Sequence, residues 1–107
     1  MDRYFDHEQL IAYQLAAEVA RWIFHDARFP PGASSLRDQA VRASQSVALN
    51  LAEGRGQQGA VRRNNYRIAM GSAAETCAAL ELVRIPGAPE QQAKLRRIGA
   101  MLHGLGA

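Results

Sequence analysis

Between Gln39 and Glu53, polar side chains recur at Gln39, Arg42, Ser46, Asn50 and Glu53. At about 100° per residue these five share one narrow stripe of a helix. Leu36, Ala40, Ala43, Val47 and Leu51 form a second stripe beside it. A surface helix spreads its polar groups over a wide face. A polar seam along the edge of an apolar one predicts that both are partly buried, and buried polar groups need hydrogen-bonding partners.

The same reading predicts three more helices. Helix one covers about residues 7–26, with Asp6 as N-cap and Gln9 completing a capping box. Its polar positions, Gln14, Glu18, Arg21 and His25, make one thin stripe. The rest is mostly apolar: Leu10, Ile11, Tyr13, Leu15, Val19, Trp22, Ile23 and Phe24. A helix apolar around most of its circumference is covered by more than one neighbour. One neighbour lies within the subunit; the other is most simply a second copy, with Trp22 as the candidate interface residue. Phe29-Pro30-Pro31-Gly32 ends this helix.

Ser35 and Asp38 open helix two, about 35–53, and Gly54 stands where a left-handed C-cap is expected. The stretch Gly54–Ala60 holds three glycines and no acid, which predicts an exposed, mobile joint. Helix three runs from about 61 to 85 and stops at Pro86-Gly87. Its apolar stripe is Tyr66, Ala69, Met70, Ala73, Cys77 and Leu80. Gly71, costly in mid-helix, predicts close approach of another helix. Helix four, about 89–104, carries Leu95, Ile98, Met101, Leu102 and Leu105. Four helices with short joints predict an all-α, antiparallel up-and-down four-helix bundle formed as a single domain over residues 1–107.

Antiparallel pairing about the second joint supplies partners for the seam. Glu53 then faces Arg62 or Arg63, Asn50 faces Asn65 or Tyr66, and Arg42 reaches toward Glu75. On this reading Gln39, Arg42, Ser46, Asn50, Glu53 and Glu75 form a structural seam.

Charge changes the picture at one place. Residues 1–26 carry five acids and two arginines, while the whole chain is +3, so the remainder is +6. Arg55, Arg62, Arg63 and Arg67 lie in or just after the second joint with no acid between them. Gln57, Gln58, Asn64, Asn65 and Tyr66 interleave as hydrogen-bonding groups and a stacking ring. Such a cluster suits the backbone of RNA or DNA. Arginine is also poorly placed at a helix N-terminus, where the dipole favours anions, which adds a little weight to binding; the alternative is a solvated helix start in which Arg62 or Arg63 satisfies Glu53.

Other chemistry is missing from the sequence. A di-iron bundle needs Glu-x-x-His pairs, and none occurs. The only lysine, Lys94, is not in a phosphate-binding loop. Cys77 is the only cysteine, which excludes an internal disulfide and fits a reducing cytoplasm. No nucleophile–base set is visible. The chain therefore reads as a non-enzyme that needs no cofactor or metal and does not span a membrane.

Tyr13-Gln14, Phe29-Pro30, Leu36, Gln39, Arg42-Ala43, Ser46, Asn50-Leu51-Ala52-Glu53-Gly54, Gly71-Ser72 and Glu75, in that order, resemble a small bacterial four-helix-bundle family. Its members include proteins encoded in intervening sequences of large-subunit ribosomal RNA genes. The accessory variability protein of diversity-generating retroelements is similar. The resemblance implies a ring-like homopentamer. It also implies a basic surface for nucleic acid and, as in the retroelement relative, a reverse transcriptase as partner. The competing reading is a homo-oligomeric scaffold or protein-interaction module without nucleic-acid binding.

Overall fold

The computed structural model describes residues 5–107. Its four long helices are α1 (Ile11–Arg21), α2 (Ser34–Arg55), α3 (Gly59–Val83) and α4 (Ala88–Gly104). A short 3-10 turn, Asp6–Gln9, precedes α1, and a π-helical turn, Trp22–Asp26, extends it. There is no strand among the described residues. Contacts link α1 to α2, α2 to α3, α3 to α4 and α4 back to α1, with no diagonal pair. Asn50 meets Asn65 while Ser46 meets Ser72, so α2 and α3 run antiparallel. Gln92 reaches Cys77 while Gly99 lies near Met70, so α3 and α4 do the same. Lys94 of α4 pairs with Glu18 of α1 at 3.0 Å. The result is an up-and-down bundle. The starts of α1 and α3 and the ends of α2 and α4 share one end, here called the joint end.

The predicted stripes make the core. Ile23, Leu51, Leu80, Ile98 and Leu102 are fully buried, with Val19 and Val47. Ala12, Ala16, Ala40, Ala43, Ala69, Ala73 and Ala79 fill the spaces between them, so the helices pack closely. Leu36 of the predicted α2 stripe is half-buried, as are Met70 and Cys77 on α3.

Several local expectations are corrected. Helix one is not continuous over 7–26: Leu10 is extended (φ −79°, ψ 116°) and separates the first turn from α1. The first turn starts one residue earlier than expected. Phe5, not Asp6, precedes it, and the Phe5 backbone N–H donates to the Glu8 carboxylate at 3.1 Å. Only this half of a capping box can form, because phenylalanine has no acceptor atom. At the other end the π turn closes with Ala27 N–H donating to the Trp22 carbonyl at 2.9 Å.

Helix two begins at Ser34 behind Ala33, without a side-chain cap from Ser35. Gly54 is not a left-handed cap. It is a buried helical residue, and α2 continues to Arg55 with Gly56 as a right-handed C-cap. The reason is Tyr66: a Cβ at Gly54 would lie 2.8 Å from the Tyr66 ring and 2.9 Å from the Asn65 Cβ. Gly54 is therefore the point of close helix approach, not Gly71. Around Gly71 a Cβ would meet nothing within 4 Å. Helix three ends at Val83, two residues before the expected stop, and its left-handed cap is Arg84 (φ 52°).

Candidate nucleic-acid interface at the joint end

The joint between α2 and α3 is only Gly56–Gln58, tighter than the seven-residue loop the glycines suggested. Gly56 N–H donates to the Glu53 carbonyl and Gln57 N–H to the Gly54 carbonyl, at 3.1 and 3.0 Å. The last carbonyls of α2 would otherwise lack partners. Arg62 completes the set: its Nε is a second donor to the Gly54 carbonyl at 3.1 Å, and its Nη2 donates to the Arg55 carbonyl at 3.0 Å. A cation at a helix C-terminus also complements the dipole. Arg62 does not pair with Glu53, which is exposed and has no ion pair within 4 Å among the described residues.

The seam divides in the same way. Its middle is a connected network. The Asn50 Nδ2 donates to the Ser46 carbonyl at 2.9 Å and to the Ser46 hydroxyl at 3.1 Å. The Asn50 Oδ1 accepts from Asn65 Nδ2 at 3.2 Å. The Ser72 hydroxyl donates to that of Ser46 at 2.8 Å, and buried Thr76 donates to the Ser72 carbonyl at 2.7 Å. The ends do not join it. Gln39, Arg42 and Glu75 are exposed, and the expected Arg42–Glu75 pair is absent among the described residues. Those side chains lie beyond the narrow contact between α2 and α3, where water competes for them. The sequence marks Ser72 only within its Gly71-Ser72 pair and places neither it nor Thr76 in the seam. The register that pairs Asn50 with Asn65 leads to Ser72 beside Ser46, and that was the signal available.

The four candidate arginines occupy one end of the bundle. Arg55 is half-buried in the last turn of α2, and Arg62 touches its carbonyl. Arg63 and Arg67 are exposed and one turn apart on α3. Carrying the Met70–Gly99 register toward the joint places Arg67 level with Leu102 and Arg63 level with Gly106. The arginines thus run from the α2–α3 joint to the flank beside the end of α4. None has a carboxylate within 4 Å among the described residues. Tyr66 is not an exposed stacking group: its ring is buried against Gly54, and its hydroxyl has no hydrogen-bond partner among the described residues.

Trp22, expected between subunits, is half-buried against its own chain. A Cβ on Gly87 (φ 86°) would lie 2.8 Å from the indole. The α1 side nevertheless leaves apolar surface uncovered. Ala17, Ala20, Ala48 and Leu49 line a groove between α1 and α2, and Leu49 is 66% exposed. Ile11 and Phe24 on the same helix are also exposed.

Among the described residues no group of three His, Cys, Asp or Glu side chains could hold a metal ion. No described helix is long and apolar enough to cross a membrane. His7 stacks on Phe5 and meets the Tyr13 ring edge-on, and Cys77 lies beside Gln92.

No curated protein and no solved structure matches the chain. A family model, the 23S rRNA-intervening sequence protein, matches residues 8–104, which takes in all four helices, the Asn50–Ser72 seam and the arginine cluster. The chain belongs to the 23S rRNA-intervening sequence protein family.

Proposed function

We propose that this protein is a non-enzymatic accessory factor that holds nucleic acid by its backbone at the joint end. The observation that carries the reading is the set of Arg55, Arg62, Arg63 and Arg67, gathered at one end without a single carboxylate partner among the described residues. Arg62 also caps the end of α2, so Arg55, Arg63 and Arg67 are the cations with no structural bond to explain them, and arginine suits phosphate geometry. The family's association with ribosomal RNA genes agrees with such a ligand.

The exposed α1–α2 groove supports a homo-oligomer, a pentamer on the resemblance, in which each copy presents the same cluster. Repetition around a ring raises a weak contact through avidity. The resemblance adds a reverse transcriptase as the protein partner of such a complex. The second reading, a scaffold without nucleic acid, rests on the same groove and assigns the arginines to solubility.

Binding of unrelated RNA and DNA oligonucleotides at low salt, followed by titration with salt, tests the proposal. Backbone binding predicts similar affinity across sequences and a steep loss with salt. No binding at low salt, with the oligomer intact, would favour the scaffold.

A further inference from the structure

Of the open pockets apart from the α1–α2 groove, one adjoins the arginines. At the joint end, Gln9, Leu10 and Ile11 before and at the start of α1, Arg55 of α2, and Met101 and Leu105 of α4 line an open pocket of about 410 Å³. Its walls are aliphatic. Arg55 is its one charged side chain, and Arg62 is hydrogen-bonded to the Arg55 carbonyl. The larger groove beside α1 is lined by Glu8, Glu18 and Arg21 with Phe5, His7 and Tyr13; its carboxylates offset Arg21 and Lys94, so it has no positive excess to hold a polyanion.

Resting on the backbone-binding reading above, we infer that this pocket receives one unpaired nucleobase whose phosphate lies on Arg55 and Arg62. The ligand is then single-stranded or looped nucleic acid. Charge complementarity selects the occupant: an apolar cleft whose only ionic group is an arginine within a phosphate-binding cluster fits a flat, weakly polar ring attached to an anion. A duplex keeps its bases stacked and paired, so it reaches the arginines but not the pocket. Duplex also carries the denser charge, so electrostatics alone would favour it. A preference for single strands therefore reports base capture. Removing about 55 Å² of base and aliphatic surface from water contributes about tenfold to single-strand affinity.

The pocket wall can be changed without touching the core, since Ile11 is 55% and Leu105 45% exposed. The test uses the full-length protein with a single-stranded oligonucleotide carrying 2-aminopurine, and the matching duplex, at fixed low salt. The expected result has three parts. The ratio of single-strand to duplex affinity is about tenfold higher than in the Ile11→Gln/Leu105→Gln variant, in which only the electrostatic preference remains. The 2-aminopurine fluorescence of the single strand rises as the base leaves its neighbours. The Ile11→Gln/Leu105→Gln variant loses both effects while duplex affinity and salt dependence stay unchanged. A single-strand-to-duplex ratio that the variant leaves unchanged overturns the base pocket and leaves backbone binding standing. A variant that alters the sedimentation of the free protein overturns it in favour of a second copy in the pocket. Binding of neither form removes both readings.

Discussion

Replacing Asn50 by leucine tests whether the seam is structure or free surface. Asn50 makes three hydrogen bonds, two to Ser46 and one from Asn65. The loss at Ser46 is mild, because Ser72 still donates to its hydroxyl. The loss at Asn65 is not, because that residue is 6% exposed and its Nδ2 has no other hydrogen-bond acceptor among the described residues. Stranding a buried amide costs about 1–3 kcal/mol. Leucine returns at most about 0.5 kcal/mol through its better helix propensity. The net expectation is a loss of about 1–2 kcal/mol. Urea unfolding at fixed protein concentration, followed by circular dichroism, measures it. The double variant Asn50→Leu/Asn65→Leu removes donor and acceptor together, so it should recover part of that loss. Unchanged stability in the single variant, or strictly additive costs in the double, would refute the network.

Other outcomes follow from the same structure. Gly54→Ala and Gly71→Ala should have opposite signs. At Gly54 overpacking against Tyr66 costs about 1–3 kcal/mol and outweighs a propensity gain of about 1 kcal/mol, whereas exposed Gly71 keeps the gain; urea midpoints read both. Arg62→Met removes two bonds from the end of α2 and should cost about 1 kcal/mol in the same assay, since the site is half-exposed. Leu49→Glu, on the α1–α2 groove, should shift sedimentation toward smaller species with helicity intact. Trp22→Glu would disturb the monomer as well, because the indole packs on Gly87.

The bundle was legible because each helix carries its apolar residues at helical spacing, and Leu51, Leu80, Ile98 and Leu102 all reached the core. The Asn50–Asn65 contact followed from antiparallel register alone. What failed were features set by a neighbour rather than by local sequence. Gly54 looks like a helix stop, but the Tyr66 ring makes it a packing site. Arg62 looks like a partner for Glu53, but the unpaired carbonyls at the end of α2 claim it. Gly71 suggested a contact that no neighbour makes within the chain. The arginines were visible as a sequence cluster. Their spread toward the end of α4, and the pocket beside Arg55, depend on how three helices converge.

The central claim is that the joint end binds a nucleic-acid backbone. Its most direct measurement is the slope of log affinity against log salt for the wild type and for Arg55→Gln/Arg63→Gln/Arg67→Gln, a variant that leaves the Arg62 cap in place. Each phosphate contact contributes about 0.9 to the slope on duplex DNA. Wild-type protein should bind with a steep slope, and the variant should bind more weakly with a slope shallower by up to about 3 for each engaged protomer. Equal affinity and equal slope for the two proteins would contradict the account.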